Sequence, residues 1–145
     1  DFCLSRGLGD VYKRQGYSWI DGRWQRTDQS TTSAVLGDGG IYSSLDDLAR
    51  WDAALYDDRL LSKASRRAMF SPATATPEPD VPHYGFGWRL NGPVQWHSGE
   101  SIGFRNVIVR HPEKHLTVIV LTNRNDPEPY PLALKIAQRW LDTLQ

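Results

Sequence analysis

The sequence predicts an α/β protein of the α+β type, an antiparallel sheet flanked by helices. Three observations carry that prediction. Residues 104–110 and 116–122 have strand character and are joined by His111-Pro112-Glu113-Lys114-His115, a run with the composition of a hairpin turn. Residues 44–56 and 131–144 repeat their apolar positions with a helical period. Residues 116–122 are largely apolar on both faces, so both must be covered, and the helix over 131–144 is a fitting cover for one.

Taken in order, residues 17–24 contain Asp21-Gly22, a hairpin signal between two short aromatic strands. Residues 27–34 read as a polar loop, and Gly37-Asp38-Gly39-Gly40 as a tight backbone turn. Ser44 then caps a helix whose first turn holds Asp46 and Asp47, where the backbone dipole favours negative charge. Leu45, Leu48, Trp51 and Leu55 carry it to about Tyr56. A shorter helix over 62–70 is stopped by Ser71-Pro72, and the proline- and threonine-rich residues 73–82 read as a surface loop. Tyr84, Phe86, Trp88 and Leu90 alternate with Gly85 and Gly87, which predicts a strand, and a further strand covers 94–98. In the closing helix, Ala133, Ile136, Ala137, Trp140 and Leu144 form the apolar stripe and Pro131 suits the first turn.

At 145 residues the chain is large enough for one core, and no internal repeat or second domain is visible. Its 39% hydrophobic content with six tryptophans fits a folded globular protein. Seventeen basic residues balance seventeen acidic ones, so no global field favours nucleic acid or an anionic membrane surface. The longest mostly apolar run, residues 116–121, is far shorter than the about 20 residues a membrane helix needs. The lone cysteine, Cys3, excludes an internal disulfide and a cysteine metal cage. Residues 1–15 have no period and resemble a translated sequencing adaptor, so they are read as a non-native or disordered leader, with residues 16–145 as the folded portion. The chain starts at Asp1 and its single methionine is Met69, which reads as a piece of a longer polypeptide.

The polar triplet His97-Ser98-Gly99 interrupts an otherwise apolar strand. Strand alternation puts His97 and Gly99 on one face, and Trp96 and Ser98 on the other. A titratable ring beside a bare glycine lets a ligand lie flat against the backbone, which is how one wall of an active site is built.

Four segments in order, Gly37-Asp38-Gly39-Gly40 running on to Trp51, Tyr84-Gly85-Phe86-Gly87-Trp88, His97-Ser98-Gly99 on to Gly103-Phe104, and Leu121-Thr122-Asn123-Arg124, resemble the C-terminal part of the serine β-lactamase-like superfamily. That group includes class C β-lactamases, D-alanyl-D-alanine carboxypeptidases and related esterases. The resemblance covers about residues 16–144 and implies the C-terminal part of a β-lactamase/transpeptidase-like fold. It implies acyl transfer through a serine ester, with a nucleophile, a base and donors aimed at the oxyanion. The acyl donor would be a β-lactam, a D-alanyl peptide or a small ester. Neither cofactor nor metal is implied, and relatives acting on cell wall are exported, which favours a periplasmic or secreted parent.

In this superfamily the chemistry comes from Ser-x-x-Lys, Tyr-x-Asn or a similar motif, and a strand motif of Lys-Thr-Gly or His-x-Gly type. No serine here stands three residues before a lysine, and no tyrosine is followed two positions on by asparagine. Only the third motif is present, with His97 where many members carry lysine. The resemblance therefore implies a catalytic contribution from His97, Gly99 and the backbone N–H of Glu100 at the oxyanion, with Ser98 and Ser101 bordering the substrate. It also implies a piece that is inactive alone. The runner-up is a non-catalytic ligand-binding or sensor domain.

Three other patterns read as structural. Gly99-Glu100-Ser101-Ile102-Gly103 matches the Gly-x-Ser-x-Gly nucleophile elbow, but an elbow leads into a helix and residues 104–110 alternate like a strand. His111 and His115 have a metal-ligand spacing, yet Pro112 forbids the helix on which such pairs ride. Gly37 to Gly40 lack the lysine of a phosphate loop, and Trp51, Trp88 and Trp140 read as packing residues.

Overall fold

The computed structural model of the chain describes residues 15–27, 41–101 and 103–143. Its centre is a six-stranded antiparallel sheet in simple meander order: β3 (Thr74–Ala75), β4 (His83–Tyr84), β5 (Arg89–Asn91), β6 (Val94–Ser101), β7 (Phe104–His111) and β8 (Leu116–Thr122). Preceding it, β1 (Tyr17–Ile20) and β2 (Arg23–Arg26) form a separate hairpin. Asp21 and Gly22 both have positive φ, as a tight two-residue turn with the right twist demands. This hairpin hooks beside the end of β8, where Tyr17 N–H donates to the Asn123 carbonyl at 2.9 Å and Asn125 N–H to that of Tyr17 at 3.0 Å.

The predicted Ser44 cap is in place, and the second helix is capped by Ser62 in the same way. Ser44 Oγ accepts from Asp47 N–H at 3.1 Å ahead of α1 (Leu45–Ala54), and Ser62 Oγ from Ser65 N–H at 3.2 Å ahead of α2 (Lys63–Met69). The turn after β7 is one 3₁₀ turn, Pro112–Lys114, closed by His115 in the left-handed region. The tight turn expected at Gly37 to Gly40 lies outside the described residues.

Each sheet face has its own core. On one, Trp96, Val107, Val109 and Val118 pack against Ala133 and Ala137 of α3 (Tyr130–Asp142). On the other, Leu55, Trp88 and Leu90 gather Trp51, Met69, Phe70 and Ile108. The doubly apolar strand is thus covered by α3 on its Leu116, Val118 and Val120 face. Its other face meets α1 through Thr117 and leaves Leu121 39% exposed, so the expected cover there is incomplete.

Three elements differ from the sequence reading. Residues 84–90 are not one strand: Gly85-Phe86-Gly87-Trp88 is a turn between β4 and β5, closed by Gly85 N–H donating to the Trp88 carbonyl at 2.8 Å. Gly87 takes φ +77°, and a Cβ at Gly85 would lie 2.3 Å from the Met69 carbonyl, so both glycines serve the bend. Residues 73–82 are more than a loop, because Thr74 and Ala75 pair with Tyr84 and His83. On α3 the buried face is centred on Ala133 and Ala137, with Leu134 and Tyr130 beside them. Two alanines let the helix sit close to β7 and β8, and this turns Ile136 (45% exposed) and Trp140 (55% exposed) outward. Leu144 lies outside the described residues.

One buried ion pair joins the α1–α2 layer to the sheet. Arg110 of β7 is only 1% exposed; its Nε donates to the Asp52 carboxylate of α1 and its Nη1 to Gln95 Oε1 at 3.0 Å. Asp52 also accepts from Thr117 Oγ1 of β8 at 2.9 Å. The guanidinium lies 5.0–5.5 Å from the ring centroids of Tyr56, Phe70 and Trp88. Removing one partner strands the other charge in an apolar box, so Asp52→Ala should lower unfolding stability by about 3–5 kcal/mol. Urea denaturation followed by tryptophan fluorescence checks this, with the exposed pair Arg50–Asp47 as a control worth about 0–1 kcal/mol.

Candidate functional site

The predicted site residues all fall on the second half of β6 and its turn, and the register explains what they offer. A two-residue turn joins β5 to β6 with Asn91 opposite Val94, Leu90 opposite Gln95 and Arg89 opposite Trp96. In such a hairpin the residues flanking the turn form a hydrogen-bonded pair, and the pattern alternates from there. Backbone groups of Val94 and Trp96 therefore face β5, while those of Gln95, His97, Gly99 and Ser101 face β7. Since β5 has only three residues, it leaves Ser98 and Glu100 with their backbone groups aimed at an edge that no strand of the described residues occupies.

Side chains alternate independently of those backbone groups. His97 and Gly99 share the face of Ile108 and the α1–α2 layer, and Ser98 shares that of Trp96 and α3. A Cβ built on Gly99 meets nothing within 4 Å, so the glycine leaves open space above the strand and is not required by packing within the chain. Ser98 Oγ accepts from Arg89 Nη1 at 3.3 Å, and Glu100 pairs with Arg105 at 3.0 Å. Ser101 sits at the strand end opposite Phe104, and β7 begins directly after Gly103, so the Gly-x-Ser-x-Gly run leads into a strand and not a helix.

The His97 ring is half-buried and its Nε2 lies 2.8 Å from the Tyr84 hydroxyl. Desolvation is the main cause that lowers its pKa below the ordinary histidine value, and the nearby Arg89 guanidinium lowers it further. The Ser98 backbone beside the ring acts in the opposite direction and raises it. Tyr84 and Arg89 are the residues that sequence reasoning missed. Tyr84 was read as one apolar position in a strand. The available signal was its hydroxyl, which seeks a partner whenever the ring is covered.

The tip of the β6–β7 hairpin is clamped. Gly103, at φ +82°, lies so close to Gly16 that a Cβ on it would stand 2.5 Å from the Gly16 carbonyl carbon. Gly103 N–H donates to Asn125 Oδ1 at 2.7 Å, and its carbonyl accepts from Tyr17 N–H at 3.2 Å. A separate cleft of about 340 Å³, lined by Tyr56, Arg66, Phe70, Gln95 and Arg110 among others, opens by the other end of β6 and shares no residue with the triplet.

A meander sheet with helices on both faces and a bare glycine at an open edge strand is a β-lactamase- and penicillin-binding-protein-like arrangement. The chain belongs to the beta-lactamase family, which it matches over residues 7–139. It is 36% identical over 113 residues to penicillin-binding protein 4* of Bacillus subtilis (strain 168), covering 74% of this chain and 25% of that protein. Its fold is similar to the crystal structure of a penicillin binding protein from Bacillus halodurans, with TM-score 0.65 and 20% identity over 88% of this chain and 39% of that one. The chain thus spans about a quarter of the curated relative's length. No helix among the described residues is long and apolar enough to cross a membrane.

Two expectations follow. Gly99→Ala should leave the melting temperature unchanged or slightly higher, whereas Gly85→Ala should lower it, because only the latter meets backbone; thermal denaturation of both variants decides. The unfolded chain binds a proton at the histidine near the ordinary value of about 6.5, above the folded value, so the stability that neutral His97 contributes is lost as pH falls below that point. Stability should therefore drop between pH of about 7.5 and 5.5, and His97→Gln should flatten part of that slope in urea titrations at both values.

Proposed function

We propose that this chain supplies one wall of an acyl-transfer site in a serine hydrolase. What carries the reading is the edge beyond β5, where Glu100 N–H points outward next to the open space above Gly99. Attack of a serine hydroxyl on an acyl carbonyl moves the carbonyl electrons onto oxygen, and a fixed backbone N–H stabilises that oxyanion. Glu100 N–H is the donor in this reading, and Gly99 lets the substrate lie against the strand. His97 acts with the hydroxyl network through Tyr84. Ser98 and Ser101 border the substrate without attacking it. These 145 residues hold no Ser-x-x-Lys and no Tyr-x-Asn, so nucleophile and base are supplied by other sequence and the chain alone is inactive.

The acyl donor is a β-lactam, a D-alanyl peptide or a small ester; both relatives are named for binding penicillin, which supports that class. The test has two arms. The chain alone should hydrolyse nitrocefin and p-nitrophenyl acetate only at background rate, and measurable turnover would overturn its inactivity. In a longer polypeptide that joins these residues to a Ser-x-x-Lys segment, Gly99→Val should slow acylation about 100-fold by misplacing the carbonyl. There Ser101→Ala should leave the rate nearly intact. Capture of a labelled penicillin without turnover in that polypeptide would favour a binding or sensor role.

A further inference from the structure

The cleft of about 340 Å³ beside the first half of β6 is lined by charge of one sign. Lys63, Arg66 and Arg67 of α2 stand around it with the buried Arg110, and no carboxylate is among the described residues that line it. Two of these cations are matched, Arg110 by Asp52 and Arg66 by Asp58 at 2.7 Å. Lys63 and Arg67 are exposed, sit four positions apart on one face of α2, and enter no ion pair among the described residues. Like charges at that spacing repel across the helix turn. The rings of Tyr56 and Phe70 border the same cleft and lie 5.0 and 5.2 Å from the Arg110 guanidinium. The Tyr56 hydroxyl is buried and has no hydrogen-bond partner among the described residues, a cost to the folded chain that a bound group would relieve.

We propose that this cleft is a second binding site, apart from the acyl wall, for a small phosphomonoester with an aromatic or aliphatic body. A phosphomonoester carries about −1.5 to −2 charges near neutral pH, which answers the two unmatched cations. A guanidinium fork and an ammonium both donate to its oxygens, and such charge-assisted bonds are the strong ones. A carboxylate would answer only one of the two charges. The volume falls within the roughly 300–1,000 Å³ of small-molecule sites, so a bare phosphate would leave the part bordered by the rings empty. The organic body fills that part against Tyr56 and Phe70, and the Tyr56 hydroxyl becomes a further donor to a ligand oxygen.

Nuclear magnetic resonance on the isotope-labelled chain tests this with phenyl phosphate, inorganic phosphate and benzoate, following the amide signals of Tyr56, Arg67 and Gln95. Phenyl phosphate should move them saturably, at about tenfold lower concentration than either of the other two. Lys63→Gln combined with Arg67→Gln should raise the phenyl phosphate midpoint about tenfold or more. The melting temperature of that double variant should be almost unchanged, since both side chains are exposed. Tyr56→Phe should bind about fivefold more weakly although the free chain is no less stable, because its hydroxyl has no partner to lose. No saturable shift from phenyl phosphate, an equal response to inorganic phosphate or benzoate, or undiminished binding by either variant would overturn the proposal. The cleft shares no residue with His97-Ser98-Gly99, so none of these results touches the acyl-site reading.

Discussion

The pairing of Asp52 with Arg110 is the constraint on which the other features depend. A guanidinium on a central strand would ordinarily face water, yet here it is enclosed by Tyr56, Phe70 and Trp88 and matched to one carboxylate. Two desolvated charges rarely gain on a well-packed apolar alternative, but they tolerate no misalignment. Their geometry holds α1 against β7 and β8 in one position, since Asp52 binds both Arg110 and Thr117. Trp88 must then stack on Trp51 at 5.8 Å, and this fixes where the Gly85–Trp88 turn releases the chain into β5.

From that point the wall is a matter of lengths. β6 has eight residues and β5 has three, so more than half of β6 has a neighbour on one side only. An unpaired edge ordinarily invites association with another strand. Here it carries a glycine with empty space above it, a half-buried ring and outward-facing amides, the features on which the proposed acyl site rests. The opposite side of the same strand is anchored by Trp96, stacked on Tyr130 with ring centroids 3.7 Å apart. One strand thus serves the core on one side and an open edge on the other.

Much of this was legible in the residues, because much of it is local chemistry. Asp21-Gly22, the Ser44 cap and the His111-Pro112 turn each act within four positions, and each formed as read. The two faces of β6 followed from alternation alone, whereas its pairing with β7 is a finding of the structure. The run from Tyr84 to Leu90 misled because alternating aromatics imitate a strand, while its two glycines turn the chain. The stripe on α3 misled because bulk suggested Ile136 and Trp140, whereas close approach to a sheet favours alanine. Asp52 and Arg110 stand 58 positions apart, and Tyr84 and His97 thirteen, so no local period could join either pair. At the site, the strand and its glycine were readable, and the partners that set the state of the imidazole were not.

The contact between Gly16 and Gly103 carries a consequence for how such a wall can be moved or varied. Each glycine leaves no room for a side chain on the other, so neither position is free to drift while its counterpart stays. Tyr17, next to Gly16, and Asn125, from one further stretch of chain, complete the same knot with hydrogen bonds. Anyone grafting the hairpin that bears Glu100 into a new scaffold must therefore transplant a discontinuous clasp of four residues along with it, or the tip will splay and the amide will lose its aim.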